Sequence, residues 1–502
     1  MATTTVQTYP LFIDGKAVEG TSGEYIDVTN PANSQVVGRI PVATEAEIDA
    51  AVMSSYEAFK KWRETPAAER AAIMMNVVNA VRAKKDEIGY LLSSEGSKPF
   101  PQAVAEVMGF AAVMEFYAQE ARRISGMVLQ SDHRDRFVYV LRVPQGVVAC
   151  IPPWNDPLHL LSRMMGPALA AGCTVVVKPS SDTPLATSML AQVAFEAGLP
   201  KGVMNVIAGP GGKVGETLVR HPKIAHASLT GSLPGGISVM KAAAEQMKRV
   251  TLELGGQCPC IVWDDADLEK VIDAITFQAF RGCGQVCNRV NRVYVHEAVY
   301  DQVVNGIAEL AKRVTVGEGA RGSGEEGVDI GPIINAKQLA WIEGQVKDAV
   351  SKGARVLAGG QRLGGPKYDD GFFFPATVLA DCTHEMEVMR EETFGPVLAF
   401  MKIGGDLEQA FEYANDSWNG LSAYFFSQNT RNCYLAAQRL EAGSIWINDI
   451  HGSMLQAPYG GMKQSGMGRE QGSLAVDEYL EWKTVYQEMS EESRGARACV
   501  HH

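Results

Sequence analysis

Between residues 147 and 252 short apolar runs recur at near-regular intervals, separated by helix-length segments of mixed character. The runs are Val147 to Ile151, Thr174 to Val177, Val203 to Ile207, His226 to Leu229 and Arg249 to Leu252. Unbroken apolar runs fit strands buried on both faces, so the pattern predicts βα units in an α/β fold, a parallel sheet with helices on either side. Ligands of such sheets lie at the carboxyl ends of the strands, which points to the loops starting at Pro152, Lys178, Gly209 and Thr230. From 255 to about 465 a similar alternation predicts a second α/β lobe, with a cleft between the two. Ahead of the first sheet, residues 11 to 43 read as short strands broken by Asp14-Gly15, Ser22-Gly23 and Asn30-Pro31. Residues 45 to 62 and 67 to 94 read as helices, the first opened by Thr44 with Glu47 three positions on, a capping box. Residues 128 to 143 read as an extended, partly exposed ribbon, the kind of element that pairs with another subunit.

A chain of 502 residues exceeds one hydrophobic core, so two or three domains are expected. Its 46% hydrophobic and 21% charged residues are ordinary for a soluble globular protein. The net charge of −12 speaks against a nucleic-acid partner, which would need a basic face. Nine scattered cysteines predict free thiols and a reducing, cytoplasmic setting. No histidine stands at ligand spacing from Cys258 and Cys260 or from Cys283 and Cys287, so no metal site is expected. The first eight residues lack the basic and apolar regions of an export signal, and no apolar run approaches the ~18 to 20 residues of a membrane span.

Candidate chemistry concentrates in Phe280-Arg-Gly-Cys-Gly-Gln-Val-Cys-Asn-Arg289. Gly282 and Gly284 allow unusual backbone angles and close approach of a ligand, and Cys287 closes the segment. A thiol attacks only as thiolate, in a setting that favours the anion. Taken alone, the stretch is equally compatible with a small buried filler. Cys283 lies near enough in sequence for a reversible disulfide with Cys287. Glu253, in Leu-Glu-Leu-Gly-Gly, is a carboxylate in an apolar run, where an acid is costly without a partner or a task. It is the candidate general base.

Glu-Leu-Gly-Gly followed some thirty residues later by Phe-x-x-x-Gly-Gln-x-Cys resembles the aldehyde dehydrogenase superfamily, most of all its succinate semialdehyde dehydrogenase type. The likeness runs from Phe12-Ile13-Asp14-Gly15 to the Gly-Gly-Met-Lys-Gln-Ser-Gly-Met-Gly-Arg run at 460 to 469. It implies a Rossmann-like dinucleotide-binding domain (1–127 and 146–254), a catalytic domain (255–465) and a β-ribbon oligomerisation arm (128–145 and 466–490). Glu481 to Tyr486 is the strand expected to join the ribbon in a homodimer or homotetramer. The implied reaction is irreversible oxidation of an aldehyde to an acid through a cysteine thiohemiacetal and thioester. Cys287 would attack, Asn155 of Pro152-Pro153-Trp154-Asn155 would hold the oxyanion, and Glu253 would activate water. Trp154, Lys178, Ser181, Gly231, Ser232, Gly236, Glu392 and Phe394 match the positions that bind the cofactor.

Two departures bear on specificity. Ser181 stands where NAD-specific relatives usually carry an acid, which implies that NADP is accepted as well as NAD. Asp156 stands where the family commonly has Phe, which disfavours bulky apolar aldehydes. His159, Arg163 and Arg281 complete the candidate substrate residues, the two arginines as a clamp for an anionic tail. Asp156 could neutralise Arg163 and leave a pocket for lactaldehyde, glyceraldehyde or sulfolactaldehyde types. A CoA-acylating enzyme and a catalytically silent family member are the other readings; Glu253 and Glu392 favour water over CoA, and intact Cys287, Glu253 and Asn155 favour an active enzyme.

Overall fold

The computed structural model describes residues 6–96, 98–320, 327–452 and 454–489. The extreme N-terminus read above for an export signal therefore lies partly outside the described residues, and so does position 490 at the end of the expected arm.

Two large sheets carry the fold. The first has eight strands in the spatial order Lys16–Val18, Leu11–Ile13, Met204–Val206, Thr174–Val177, Val147–Ile151, Ile224–Thr230, Arg249–Glu253 and Gly466–Met467. Its five central strands are all parallel, and their sequence order across the sheet is 3-2-1-4-5. The order reverses between Val147–Ile151 and Ile224–Thr230, where a crevice opens at the strand ends. These strands are buried on both faces. Val148 and Cys150 pack into one core, while Val147, Ala149 and Ile151 pack into the other. The second sheet runs Arg355–Ala358, Thr377–Ala380, Val397–Ile403, Arg292–His296, Pro259–Val262, Ser422–Phe426 and Ser444–Ile447, parallel except at the first pair.

The helix expected over 67 to 94 is two helices, Ala67–Ala83 and Lys85–Glu95, broken at Lys84 (φ −101°, ψ 17°). Apolar spacing continues across the break without Gly or Pro, so nothing local announces it. The helix Glu45–Trp62 is opened by Thr44 through the expected capping box. The ribbon is built of Met127–Leu129 and Arg136–Pro144, and Leu480–Glu488 pairs along the whole of the latter. Val128, Trp482 and Tyr486 on it are exposed. Among the described residues no helix is long and apolar enough to cross a membrane.

Candidate active site

Glu253 ends the fifth parallel strand of the first sheet, and within six residues the chain enters the second sheet at Pro259. The crossing passes through Gly255 and Gly256, and the structure gives each a separate reason. A side chain at Gly255 would collide with the Glu392 carboxylate, and a Cβ at Gly256 would stand 2.5 Å from the carbonyl oxygen of Cys287. Both glycines thus let the linker pass against the residues that face the cleft.

Cys287 follows the helix Leu268–Phe280 and a tight turn in which Gly282, Cys283 and Gly284 all have φ near +60°. Gly284 is obligatory there, since a Cβ would strike the backbone at Gly395. Gln285 ties the loop down, donating to the Pro332 carbonyl and accepting from the Ile334 N–H at 3.0 Å. Cys283 points into the core that holds Ile261 and Tyr294, whereas Cys287 borders the core on the other face of the sheet. Both are free thiols. The expected disulfide therefore finds no support in the packing.

Cys287, Asn155 and all the predicted cofactor residues but Gly236 share one cavity of about 520 Å³ at the strand-order reversal. Asn155 donates through Nδ2 to the Gln285 carbonyl at 3.0 Å, which fixes its amide beside the cysteine loop. Trp154 meets Phe394 edge to face at 5.3 Å, so one ring from each lobe closes that end. Further along lie Lys178, Ser181, Gly231, Ser232 and Glu392. Ser232 caps the helix Leu233–Ala244, its hydroxyl accepting from the Gly235 N–H at 3.4 Å. Gly236 is not at the wall. It lies under the helix, where a Cβ would be 2.7 Å from Leu254 Cδ1, so its role is close packing of helix on strand. Lys178 is almost fully buried, which pulls its ammonium down to about 8. Glu392 accepts from the Gly256 N–H at 3.1 Å, and burial raises its carboxyl to about 7. A helix N-terminus, a buried cation and a carboxylate along one cavity fit a dinucleotide. Asp182, absent from the sequence reading, also lines the cavity, held by Asn335 Nδ2 at 3.3 Å.

Glu253 is 3% exposed, with neither carboxylate oxygen hydrogen-bonded. Burial first, and the Glu470 carboxyl second, push its titration well above the usual carboxylate range. Burial also raises the Cys287 thiol to about 11, partly offset by a hydrogen bond with Tyr459.

A second cavity of about 370 Å³ shares Asn155 with the first and is bordered by Lys98, Asp156, His159 and Arg281. Asp156 does not take the expected pairing. Its partner is Lys98, at 2.6 Å, and not Arg163. Burial opposes the Asp156 charge, but the Lys98 ammonium outweighs it and holds the carboxyl below its ordinary range. Glu106 is the second partner of Lys98 and accepts the Leu158 N–H at 2.8 Å. Arg163 lines neither cavity. It is 5% exposed, bonded to His159 Nε2 at 2.9 Å, 4.0 Å from Glu470, and stacked over the Tyr459 ring at 5.0 Å. With its amide oxygen turned toward the guanidinium, Gln471 accepts from it at 3.1 and 3.2 Å. The two arginines thus do not line one cavity together. Arg281 reaches the cavity wall, with Nε bonded to Gln278 at 3.0 Å and Nη2 to Asn288 at 2.9 Å. Burial lowers His159 and His451 to about 3, so both are neutral. Among the described residues no cluster of His, Cys, Asp and Glu could hold a metal ion.

Lys98, Tyr459, Glu470 and His451 were missed by sequence reasoning. Pro458-Tyr459-Gly460-Gly461 offered only its glycines as a signal, and Lys98 none.

A sequence model of the Aldehyde dehydrogenase family matches residues 17–485. The NADP(+) succinate-semialdehyde dehydrogenase GabD of Escherichia coli (strain K12) is 38% identical over 471 residues, 94% of this chain and 96% of that protein. The structure of 3,6-anhydro-L-galactose dehydrogenase in complex with NAP superposes with a TM-score of 0.93 at 38% identity, covering 96% of this chain and all of the other. Lactaldehyde dehydrogenase from Escherichia coli gives a TM-score of 0.93, 38% identity and the same coverage. Similarity of this extent, reaching through both sheets and every loop that meets at Cys287, makes the chain a member of the aldehyde dehydrogenase family, an aldehyde-oxidising oxidoreductase.

Proposed function

We propose that the protein oxidises a small anionic semialdehyde, with succinate semialdehyde as the type, using NADP or NAD. The observation that carries the substrate class is the Lys98–Asp156 ion pair. It neutralises Asp156, while burial raises Glu106, the other partner of Lys98, to about 7, and Arg281 stands as the cation at the cavity wall, two of its three nitrogens already fixed by Gln278 and Asn288. A preoriented guanidinium binds a carboxylate with little loss of rotamer freedom. Cys287 attacks the aldehyde carbon, and the Asn155 amide donates to the oxygen that becomes negative. A bound nicotinamide would supply the acceptor for the hydride. Glu253 then takes a proton from the water that hydrolyses the thioester. Lys178 and Ser181 would hold the adenosine ribose, Gly231 and Ser232 the pyrophosphate and Glu392 the nicotinamide ribose, while Trp154 and Phe394 would exclude water. We assign residues 1–127 and 146–254 to cofactor binding and 255–465 to catalysis. The exposed apolar side chains of the ribbon support a homodimer or homotetramer, and the free thiols support a cytoplasmic setting.

A second reading, a hydroxylated aldehyde of lactaldehyde type, draws on Trp446 Nε1 and His451 Nδ1, two buried polar atoms without a protein partner on the Tyr459 side of the site. Cofactor reduction with succinate semialdehyde, lactaldehyde and butanal, in wild type and Arg281→Gln, separates the two. One charge-assisted hydrogen bond contributes roughly 1.5 to 3 kcal/mol, so the variant should lose about tenfold or more on the anion beyond whatever it loses on butanal. Equal losses on all three would overturn the anionic reading.

A further inference from the structure

Beneath the nucleophile runs a line of polar groups whose direction is fixed at its far end. The Arg281 guanidinium carries only donors, and its Nη2 gives a hydrogen bond to Asn288 Oδ1 at 2.9 Å. Gln278 Nε2 adds a second bond to the same oxygen at 3.3 Å. With its oxygen so engaged, the Asn288 amide can present only its nitrogen to Tyr459, and Nδ2 donates to Tyr459 Oη at 3.3 Å. That bond occupies a lone pair of the phenol oxygen. The Tyr459 hydroxyl then lies 3.6 Å from Cys287 Sγ.

We propose that Tyr459 is a further working residue of this site, a hydrogen-bond donor that stabilises the Cys287 thiolate, and that Asn288 and Arg281 are the positioning residues that set its direction. A thiolate has no proton, so once Cys287 ionises the phenol alone can donate across this contact. Tyr459 is well placed to hold that orientation. It is 4% exposed, and its backbone exchanges two hydrogen bonds of 2.7 Å with Glu470. The Arg163 guanidinium lies 5.0 Å over one face, and the His451 ring stands edge-on at 5.6 Å. A cation over the ring draws electron density from it and strengthens the hydroxyl as a donor. The charged groups that bear on the sulfur are Arg163, which favours the anion, and Glu392 and Glu253, which oppose it when ionised. The donor chain therefore works where two carboxyls resist thiolate formation. A phenylalanine would fill the same space with the same ring and no hydrogen to give.

The inference rests on Cys287 being the nucleophile, and the test keeps the two apart. Tyr459→Phe, Asn288→Asp and Cys287→Ala enzymes are treated with iodoacetamide from about pH 7 to about pH 10, and alkylation of Cys287 is followed by peptide mass. Loss of a stabilising bond of ordinary strength raises the thiol by roughly half to one pH unit, so the Tyr459→Phe rate should fall about three- to tenfold at each pH below the midpoint. Asn288→Asp, which turns the phenol's donor toward the new carboxylate, should fall in the same direction with Tyr459 in place. Cofactor binding, followed by fluorescence, should be retained in Tyr459→Phe and reports that the fold is intact. An unchanged alkylation profile in Tyr459→Phe overturns the donor role. A fall in that variant with none in Asn288→Asp overturns the polarity set by Arg281. Turnover that persists in Cys287→Ala instead removes the nucleophile reading, whatever the alkylation rates show.

Discussion

Gly256→Ala is a test of the linker geometry. The new methyl would stand 2.5 Å from the Cys287 carbonyl oxygen, 2.9 Å from Leu421 Cβ and 3.1 Å from Cys258 Sγ, where ordinary contacts begin at 3.4 Å. Two of these neighbours are core atoms directly preceding strands of the second sheet, and the third is the backbone of the nucleophile itself. Relief of the worst contact requires a displacement of 3.4 less 2.5, or 0.9 Å, and the loop that carries Cys287 is the part able to move. A misplacement of about 1 Å at a reacting group costs on the order of a hundredfold in rate. Overpacking of this size also costs about 1 to 3 kcal/mol of stability. The assay is the pre-steady-state burst of reduced cofactor, which reads acylation at Cys287 directly, together with cofactor affinity and thermal unfolding. The burst rate should fall roughly a hundredfold while cofactor affinity changes little. Gly344→Ala is the control, because Gly344 lies within the helix Ala336–Ser351 with nothing within 4 Å of a new Cβ. There a methyl should be neutral or should stabilise by up to about 1 kcal/mol. A wild-type burst in Gly256→Ala would refute the argument that the second glycine of the motif serves the position of Cys287.

Glu253→Gln should slow hydrolysis of the acyl-enzyme more than its formation. Because the buried Glu253 carboxyl is raised, its base form accumulates only above the ordinary carboxylate range, so wild-type deacylation should climb with pH there and the variant should stay flat; a normal rate without trapped thioester removes Glu253 from the role. Ser181→Glu should shift preference toward NAD by roughly 1 to 3 kcal/mol of lost bonding to a 2′-phosphate. An unchanged ratio of kcat/KM for the two cofactors would show that this position does not read the ribose. Lys178, lowered to about 8, is a cation only below that pH in the free enzyme, so NADP affinity should fall about tenfold per pH unit above it. Affinity that stays flat into more alkaline solution would detach Lys178 from the phosphate.

The five central strands of the first sheet fall within one or two residues of the apolar runs that predict them, because a strand covered on both faces leaves an unbroken apolar signature. The break at Lys84 left none. Charge pairing was the least legible feature, for a physical reason. Local spacing suggested Asp156 with Arg163, but Lys98 reaches Asp156 from 58 positions away, and Arg163 is satisfied by Tyr459, Glu470 and Gln471, which arrive some three hundred residues later. Spacing shows which side chains share an element and says nothing of what packs against it. Cys287 and Glu253 were found because their backbone surroundings are rich in glycine. Tyr459 escaped because its function depends on a contact across 172 positions.

The short strand Gly466–Met467 completes the first sheet by pairing antiparallel to Leu252 and Glu253. It follows them by about 213 positions, from 253 to 466. During synthesis at ~5–20 residues per second, the edge of Arg249–Glu253 waits roughly 10 to 40 s for its partner. Through that interval the nascent chain presents unpaired backbone N–H and C=O groups at Leu252 and Glu253, a template for pairing with a neighbouring polypeptide on the same message. The strand that finishes the catalytic seam is thus also a late cover for it, and the yield of folded enzyme should be set by how well that edge is shielded while the second sheet is being made.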